Sequence, residues 1–482
     1  MRVLFVTSEI NPLIKTGGLA DVSAALPAAL HGLGVDVRVL LPGYPQVLRS
    51  LPHLQVATRF AGLPDFPEVS LLSGILPDGV PLWVIDCPEM YSRGGGPYQD
   101  EQGVDWIDNA QRFGLLSRIA AMLGSADTPL EWKPDVVHCN DWQAGLTPAY
   151  LHFLPAPAPS VMTVHNLAFQ GVFPPQLAAE LGLPEECMQP EGAEYYGDLS
   201  FLKAGLHYAN HITTVSPSYA EEIQTEALGF GLQGLLTHRR AALTGILNGI
   251  DTHEWNPAAD PNIAAPYDVK NLQGKDASKR ELQKHMGLHI DPKIPLFGLV
   301  SRFTHQKGLD MVLEIAPHLV AMPAQLVLLG TGDAGMQRKA LELSHHYSGR
   351  ISTYVGFDEG LSHLVEAGAD IFLMPSRFEP CGLNQMYSQR YGTPPVVHAT
   401  GGLIDSVVDC NEATLARGTA SGFVFGNGMS TLGLLAAAQR AVTAYHDKKV
   451  WRALQRNGMS KDFGWGKSAA AYHDIYERLV RR

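Results

Sequence analysis

The sequence has few cysteines, no basic run and no long apolar stretch, and each absence excludes a class of protein. Its five cysteines include no CxxC pair, which argues against a disulfide framework or a structural zinc site and indicates a reducing compartment. No run of Lys or Arg offsets the formal net charge of −12, so a protein that binds the phosphate backbone of nucleic acids is not expected. No segment reaches the roughly 20 apolar residues that cross a bilayer, and Glu9 interrupts any signal-type apolar core. We therefore expect a soluble, cytoplasmic protein.

What is present is the composition of a multidomain globular protein. The chain has 482 residues, of which 45% are apolar and 17% charged, enough for two to three domains. Short apolar runs alternate with stretches of helical spacing, which predicts βαβ units and a parallel sheet covered on both faces. The predicted strands are Arg2–Thr7, Asp36–Leu41, Val69–Ile75, Pro81–Asp86, Asp135–Cys139, Val161–His165, His211–Val215, Leu296–Val300, Gln325–Leu329, Ile351–Val355, Ile371–Met374 and Val396–His398.

Two doubly wound, Rossmann-like domains in tandem follow from this pattern. We expect the first to span 1–242 and to be joined by C-terminal helices 459–482, and the second to span 243–458. Turn residues near Asn248 favour the join there, and the polar stretch Asp260–Lys284 is predicted to be a surface excursion. Ligands of such folds bind at the carboxyl ends of the strands, and two domains can present those ends to each other across a cleft.

The first unusual strand end is the segment Lys15-Thr16-Gly17-Gly18-Leu19-Ala20-Asp21, which precedes a predicted helix. Two glycines at a helix entrance let backbone N–H groups approach an anion, and Lys15 adds a positive charge. The pattern is neither GxGxxG nor the Walker lysine motif. Two interpretations stay open, an anion-binding loop or a turn whose glycines serve only backbone geometry.

Two further strand ends in the first half carry polar side chains. His138-Cys139-Asn140-Asp141-Trp142 closes one strand and opens a helix, where Asp141 is either an N-cap or a site residue. His165 and Asn166 close the next strand, and a lone histidine there is more often structural than catalytic.

In the second half, cations and a carboxylate stand at strand ends. Arg302 and Lys307 lie about one turn apart before a helix, which opposes the helix dipole and favours an anion between them over a surface ion pair. Glu379 lies in a turn after the predicted strand Ile371–Met374, where its carboxylate can meet hydroxyl groups. The amides of Cys381, Gly382 and Leu383 and the Thr400-Gly401-Gly402 entrance can face phosphate. Together these features predict a site for a diphosphate that carries a polyol.

The sequence closely resembles the bacterial glycogen synthases, retaining glucosyltransferases of the two-Rossmann-domain architecture called GT-B. The resemblance runs through nearly the whole chain in the family's order. It is carried by KTGGLADV from Lys15, PDVVHCNDWQAGL from Pro134, TVHNLAFQG from Thr163, SFLKAGLHYA from Ser200, ILNGID from Ile246, SRFTHQKGLD from Ser301, PSRFEPCGLNQ from Pro375, TGGLIDSV from Thr400 and ASGFVF from Ala420.

The resemblance implies a role for each matched position. Arg302 and Lys307 would neutralise the diphosphate leaving group, and Glu379 would bind the glucose hydroxyls and support developing positive charge. His165 and Asp141 complete the expected catalytic set, on the wall around the transferred glucose and the acceptor. The other expected substrate-binding residues are Lys15, Gly17, Gly18, Asp21, Tyr98, Asn166, Asn248, Phe357, Cys381, Gly382, Leu383, Thr400 and Gly401.

The chain departs from the family's usual pattern at three places. Asn140 replaces the second histidine of HxHDW, Asn384 stands where threonine is frequent, and His398-Ala399 precedes Thr400 where basic residues are frequent. Of these, Asn140 is expected to alter acceptor-side contacts. The chain also begins directly at the first predicted strand, which fits a bacterial enzyme better than a plastid one with a transit peptide.

The implied reaction transfers glucose from ADP-glucose to the 4-hydroxyl end of an α-1,4-glucan, with retention of configuration and without a metal or cofactor. Two alternatives stay open. One is an α-glucan phosphorylase-like enzyme, which shares the architecture but needs pyridoxal phosphate on a lysine. The other is a polyglucan-binding scaffold without catalysis, against which the intact Arg302, Lys307 and Glu379 argue.

Overall fold

The computed structural model describes residues 1–61, 63, 66–426 and 430–481. Contacts divide the chain into two compact units. Unit 1 comprises Met1–Gly249 with Trp465–Arg482, and unit 2 comprises Ile250–Gly464. Each is built around its own sheet.

Unit 1 contains a nine-stranded sheet in the order β12-β11-β7-β6-β1-β2-β5-β4-β3. Its strands are β1 (Arg2–Val6), β2 (Asp36–Pro42), β3 (Gln55–Phe60), β4 (Val69–Ile75), β5 (Pro81–Asp86), β6 (Val136–Asn140), β7 (Ser160–Val164), β11 (His211–Thr214) and β12 (Leu243–Gly245). All neighbouring pairs are parallel except β3–β4 and β4–β5. A second, three-stranded antiparallel sheet is formed by β8 (Val172–Phe173), β9 (Glu194–Tyr195) and β10 (Asp198–Ser200).

The helices of unit 1 cover the nine-stranded sheet. They are α1 (Gly18–Gly32), α2 (Pro45–Ser50), α3 (Pro88–Tyr91), α4 (Asn109–Leu123), α5 (Thr147–Phe153), α6 (Leu177–Glu180), α7 (Phe201–Tyr208), α8 (Pro217–Glu222), α9 (Gln233–His238) and α19 (Gly466–Val480), with 3₁₀ turns at Trp142–Ala144, Glu185–Met188 and Arg240–Ala242. The C-terminal helix α19 packs against α1 and β6. The last helix of the chain is therefore part of the first unit.

Unit 2 contains a six-stranded, entirely parallel sheet in the order β15-β14-β13-β16-β17-β18. Its strands are β13 (Leu296–Val300), β14 (Gln325–Gly330), β15 (Ile351–Val355), β16 (Ile371–Met374), β17 (Pro395–His398) and β18 (Phe423–Phe425). Its helices are α10 (Gln273–His285), α11 (Leu309–Ala321), α12 (Ala334–His346), α13 (Glu359–Gly368), α14 (Asn384–Arg390), α15 (Gly401–Ser406), α16 (Glu412–Ala416), α17 (Thr431–His446) and α18 (Lys448–Met459). Apolar residues from β13, β14, α11 and α17 form one continuous core beneath the sheet.

The sequence predicts most of these strands to within one residue at each end, and β4, β5, β13, β15 and β16 without error. Short edge strands such as β12 and β18 were missed because three residues carry little periodicity. The expectation of a purely parallel sheet is wrong for unit 1, where β3, β4 and β5 form an antiparallel meander at one edge. Short connections between these strands permit that pairing, since antiparallel strands need no helical crossover.

The expectation that Asp260–Lys284 forms a surface excursion is right for most of 261–271, which is exposed, but wrong for Asp260 and for one face of α10. Asp260, Lys275 and Lys279 are all buried. The Lys275 ammonium donates to the carbonyls of Ala367 and Ala369, both at 2.9 Å. Burial lowers the pKa of Lys275 to about 7. A polar sequence pattern did not predict this burial because the partners lie far away along the chain.

The unit boundaries differ slightly from the domain boundaries expected from sequence. Strand β12 pairs with β11 and is the edge strand of the first sheet. The segment Leu243–Gly249 therefore belongs to unit 1. Within the described ranges, no helix is both long and apolar enough to cross a membrane.

Candidate active site

The expected site residues cluster where each sheet reverses its order of connection. In unit 1 the chain runs from β1 outward to β2, then returns to place β6 on the other side of β1. In unit 2 it runs from β13 to β14 and β15, then returns to place β16 beside β13. Ligands of open α/β sheets bind at such switch points. The residues that follow β1 and β6 in unit 1, and β13 and β16 in unit 2, therefore stand at the expected ligand-binding positions.

In unit 1, the glycine-rich loop after β1 is held by Glu9. This buried carboxylate accepts hydrogen bonds from the Thr16 amide at 2.6 Å, the Thr16 hydroxyl at 2.8 Å and the Gly17 amide at 3.3 Å. The Tyr98 hydroxyl also donates to Glu9, at 2.6 Å. Tyr98 is thus joined to the loop through one carboxylate. The loop conformation depends on a charged residue that is itself almost inaccessible to solvent.

The remaining loop residues lie at the start of α1. Gly18 is its first residue, and Gly17 occupies the N-cap position without a capping side chain. Lys15 forms an ion pair with Asp21 at 2.8 Å, and the lysine is exposed. The loop therefore presents backbone amides and a cation at the amino end of a fifteen-residue helix, an arrangement suited to an anion.

Asp141 follows β6 in a strained backbone conformation, with φ 55°. It is not a side-chain N-cap for the following 3₁₀ turn. Its Oδ1 instead accepts a hydrogen bond from the His165 amide at 2.7 Å. Burial raises the pKa of Asp141 to about 7, although the His165 and Asn166 amides favour the ionised form. A carboxylate in this position joins the ends of β6 and β7, and the strain fits a functional segment.

His165 is held in one tautomer by Asn140. The Asn140 amide group donates to the Val6 carbonyl at 3.0 Å, which directs its Oδ1 toward His165 Nε2, also at 3.0 Å. Because an amide oxygen only accepts, Nε2 carries the proton and the lone pair lies on Nδ1. Burial lowers the pKa of His165 to about 3, so the ring is neutral at physiological pH. Asn140, which replaces the second histidine of HxHDW, therefore gives His165 a hydrogen-bond partner.

Three other polar residues in or just after the strands of unit 1 are His138, Asn166 and Asn248. His138 bonds to Tyr476 of α19 and to Thr163, at 2.7 and 2.6 Å, and is structural. Asn166 accepts from the Ala168 amide at 3.1 Å and shapes the turn after β7. Asn248 is buried, and within the described residues its Oδ1 has no hydrogen-bond partner.

In unit 2, Lys307 and Glu379 form an ion pair. The Lys307 ammonium lies 2.6 Å from Glu379 Oε2, and the Ser376 hydroxyl donates to the same oxygen at 2.9 Å. Glu379 is buried, with 5% of its surface exposed. Across the described part of the chain, its other oxygen, Oε1, makes no hydrogen bond, although it is not sealed from solvent. One oxygen is thus fixed by protein and the other is available.

Close backbone packing around Glu379 explains two glycines. A Cβ added at Gly308 would lie 2.2 Å from the Pro375 carbonyl oxygen, and one at Gly401 would lie 2.0 Å from the Glu379 carbonyl oxygen. Both residues also have positive φ values, 72° and 44°. These contacts bring the segments after β13, β16 and β17 together. Larger side chains would displace the turn that carries Glu379.

The other expected residues of unit 2 surround this pair at strand ends. Arg302 is exposed, and its guanidinium has no hydrogen-bond or ion-pair partner in the described ranges. The amides of Gly382 and Leu383 likewise find no backbone acceptor among the described residues. Thr400 is the N-cap residue of α15, and Cys381 is buried.

Phe357 lies apart from these residues in the sheet. It follows β15, two strands from β13, and is 79% exposed. Asn384, where the family often has threonine, donates to the Val300 carbonyl at 2.8 Å and thereby links α14 to β13. His398 donates to the Ser376 carbonyl at 3.0 Å, and burial lowers its pKa. It is neutral at the place where basic residues are frequent.

Sequence reasoning missed the parts played by Glu9 and Ser376. Glu9 is an acidic residue between Ser8 and Ile10 in an otherwise buried stretch, and that burial pattern is its only local signal. Ser376 stands three residues before Glu379, a spacing that allows a turn contact. Neither forms a recognisable motif, because each acts through residues elsewhere in the fold.

Comparison with known families covers both units. The family described as starch synthase catalytic domain matches residues 2–238, and the family described as glycosyl transferases group 1 matches residues 282–427. A glycogen synthase of Nitrosospira multiformis is 56% identical, over 100% of this chain and 98% of that protein. A glycogen synthase of Nitrosomonas eutropha is 57% identical, over 100% of this chain and 97% of that protein.

Two solved glycosyltransferase structures are also similar to this chain. The catalytic domain of starch synthase IV from Arabidopsis thaliana, bound to ADP and acarbose, matches with a TM-score of 0.87 and 33% identity over 100% of this chain and 99% of that one. Sucrose-phosphate synthase from Thermosynechococcus elongatus matches with a TM-score of 0.60 and 17% identity, over 100% and 99% of the two chains. The latter likeness concerns the fold alone.

Proposed function

This chain belongs to the glycogen synthase family of GT-B glycosyltransferases, and we propose that it transfers glucose from ADP-glucose to the non-reducing 4-hydroxyl end of an α-1,4-glucan. The observation that carries this proposal is the Lys307–Glu379 pair at the β13–β16 switch point. It places a cation suited to phosphate beside a carboxylate suited to sugar hydroxyls. The ADP bound to the Arabidopsis starch synthase supports an adenosine nucleotide donor.

Unit 2 is proposed to bind the donor. Arg302 and Lys307 would stabilise the negative charge that develops on the departing diphosphate, as positioned cations do in other transfer reactions. The amides of Gly382 and Leu383, which lack backbone acceptors among the described residues, would add hydrogen bonds to phosphate. Cys381 would contribute its amide and pack in the core, while Phe357 would offer a flat surface to the adenine.

Glu379 is proposed to bind the glucose of the donor. Its Oε2 is committed to Lys307 and Ser376, and its Oε1 would accept from sugar hydroxyls. A fixed negative charge beside the sugar also favours positive charge at the reacting carbon. The same carboxylate thus aligns the glucose and keeps Lys307 in place for phosphate.

Unit 1 is proposed to supply the loop for the sugar nucleotide and the residues around the transferred glucose. The Gly18 amide and Lys15 suit phosphate, while the Gly17 amide and Tyr98 are both bonded to Glu9. Asp141 is held by the His165 backbone amide, which fits a positioning carboxylate and not a covalent nucleophile. We therefore favour attack on the face that the diphosphate leaves, through a short-lived ion pair, with the leaving phosphate accepting the proton of the acceptor hydroxyl.

The test is a turnover assay on glycogen with ADP-glucose and UDP-glucose in parallel, monitoring nucleoside diphosphate release and glucose incorporation. We expect ADP-glucose to support transfer, with one ADP released for each glucose added. Release of glucose 1-phosphate from glycogen and inorganic phosphate, with cofactor absorption in the pure protein, would identify a phosphorylase instead. Glycogen binding without turnover on either donor would identify a scaffold.

A further inference from the structure

Three potential metal ligands converge in unit 2, in a group that contains none of the expected site residues. Glu254, Glu359 and His363 each offer one ligand atom, and these atoms lie within 4.8 Å of one another. Glu359 and His363 are one turn apart at the start of α13. The two glutamates are exposed, whereas His363 is 2% exposed. The group therefore combines a buried nitrogen donor with two carboxylates that solvent can reach.

A second carboxylate contact sets the tautomer of His363. Its Nδ1 lies 2.7 Å from Asp260 Oδ2, an oxygen that also accepts from the Tyr391 hydroxyl at 2.6 Å. Because a carboxylate only accepts, Nδ1 carries a proton, and Nε2 is the ring nitrogen on the side of the glutamates. That Nε2 lies 3.9 Å from Glu359 Oε1, beyond hydrogen-bond distance. The buried ring thus directs Nε2 toward the glutamates.

The orientation of the His363 ring is also fixed by stacking. Trp255 lies against it with ring centroids 3.9 Å apart and planes 11° apart. Tyr387 covers Trp255 in the same way, at 3.7 Å and 10°. A histidine with a carboxylate on one nitrogen and a fixed ring plane matches the arrangement that metal-binding histidines usually have.

We propose that Glu254, Glu359 and His363 bind a divalent transition-metal ion of the zinc or cobalt(II) type, with Asp260 orienting the histidine. Imidazole nitrogen and carboxylate oxygen are both ligand types that zinc accepts, and three protein ligands leave a position for water. The nitrogen donor favours them over magnesium and calcium, which prefer oxygen ligands alone. Tetrahedral coordination needs ligand atoms about 3.4 Å apart, and rotation of the exposed glutamates can reach it.

The composition of the sequence does not exclude this metal site. The scarcity of paired cysteines argues against a cysteine-based zinc site, and this donor set contains no cysteine. Glu254 stands more than 100 positions before Glu359, so no local sequence motif predicts the site. A bound ion would join the segment that opens unit 2 to α13. The proposal does not depend on glucosyl transfer, and its failure would leave the proposed function untouched.

The experiment uses the full chain, stripped of metal with a chelator and dialysed. Zinc binding is measured by titration calorimetry, and cobalt(II) binding by its visible absorption. Three proteins are compared: wild type, the double variant Glu254→Gln/Glu359→Gln, and the control Glu412→Gln, which removes an exposed carboxylate at the start of α16. The glutamates are changed because they are exposed, whereas replacing the stacked His363 would disturb the core.

We expect one saturable zinc site in wild type and in Glu412→Gln, with a cobalt spectrum of four- or five-coordination. In the double variant, affinity should fall at least tenfold and the cobalt spectrum should be lost. Equal zinc affinity in wild type and the double variant would overturn the proposal. So would magnesium binding as tight as zinc, because it would show that the imidazole nitrogen contributes nothing.

Discussion

Lys307 Nζ lies 2.6 Å from Glu379 Oε2, and the two residues follow the neighbouring strands β13 and β16. The carboxylate is buried, and about a fifth of the lysine side chain is exposed, 18%. Each charge therefore stabilises the other while remaining near the strand ends. Residues to which the sequence assigns separate substrate groups act as one electrostatic unit in the fold.

Replacing Lys307 with methionine should lower turnover on ADP-glucose by about 10²–10³-fold, the usual cost of losing a group that stabilises developing charge. Glycogen binding should change little. The measurement is kcat with saturating glycogen, beside Lys339→Met, which removes an exposed lysine of α12 and should leave kcat unchanged. A Lys307→Met enzyme with near-normal kcat would remove Lys307 from the mechanism.

The same ion pair gives a stability test. Lys307→Met leaves Glu379 buried without its cation, which typically costs about 3–5 kcal/mol. Adding Glu379→Gln should recover most of that loss, since the unpaired charge is then gone. Urea denaturation of the wild type, both single variants and the double variant gives the coupling energy. Additive effects would mean that the two side chains do not interact in solution.

Glu379→Gln keeps the shape of the side chain and removes its charge. We expect turnover to fall severely while the fold survives, because Ser376 can still donate to the Gln carbonyl oxygen. Circular dichroism checks the fold and the transfer assay checks the activity. Wild-type turnover in this variant would reduce Glu379 to a structural turn residue.

Asn140→Asp tests the hydrogen bond that holds His165. The new carboxylate would face His165 Nε2 at about 3.0 Å and raise the pKa of His165, which burial lowers to about 3 in the wild type. The charged ring lacks the lone pair at Nδ1, so activity should be lost as pH falls through the raised pKa. The pH profile of kcat/KM should gain an acid limb that the wild type and the control Asn271→Asp, a change at an exposed turn residue, do not show. Superimposable profiles would mean that Asn140 does not control His165.

Asp141 should make folding stability depend on pH. Burial raises its pKa to about 7, whereas an unfolded aspartate titrates near 3.9. Between those values the folded protein holds a proton that the unfolded chain releases, so the free energy of unfolding falls as pH rises. Asp141→Asn keeps an acceptor for the His165 amide and removes the titration. Thermal midpoints measured from pH 4 to 8 should fall less steeply in the variant, and identical slopes would contradict the assignment.

Glu9→Gln tests the support of the glycine-rich loop. The amide replaces a charged acceptor of the Thr16 and Gly17 amides with a weaker one. We expect KM for ADP-glucose to rise several-fold, with a smaller change in kcat, because the loop would be held less firmly in the conformation that is proposed to bind phosphate. The matched control is Glu131→Gln, at an exposed position of unit 1. An unchanged KM would separate Glu9 from donor binding.

Local patterns predicted the strands and the loops that follow them. Apolar runs such as Leu296–Val300 reveal buried strands, and the glycines after them mark turns. The positions of Asp141 and Glu379 at strand ends were therefore predicted from sequence. Their contacts with the His165 amide and with Lys307 were not.

The missed features depend on contacts between residues far apart in sequence. Lys307 and Glu379 are 72 positions apart, and the partner of Lys275 in the core, Thr393, is 118 positions away. A polar stretch such as α10 is predicted to be exposed unless those partners are known. Tertiary contacts decide whether a charged side chain is buried, and the hydrophobic periodicity of the local sequence does not predict it.

The most direct test of the account compares wild type with Glu379→Gln and Lys307→Met in one assay, with labelled ADP-glucose and glycogen. The account predicts that wild type adds one glucose for each ADP released and that β-amylase removes the added label as maltose. It also predicts that both variants bind glycogen normally but lose nearly all transfer. Wild-type protein that transfers no glucose from ADP-glucose, or variants that transfer it as well as wild type does, would contradict the account.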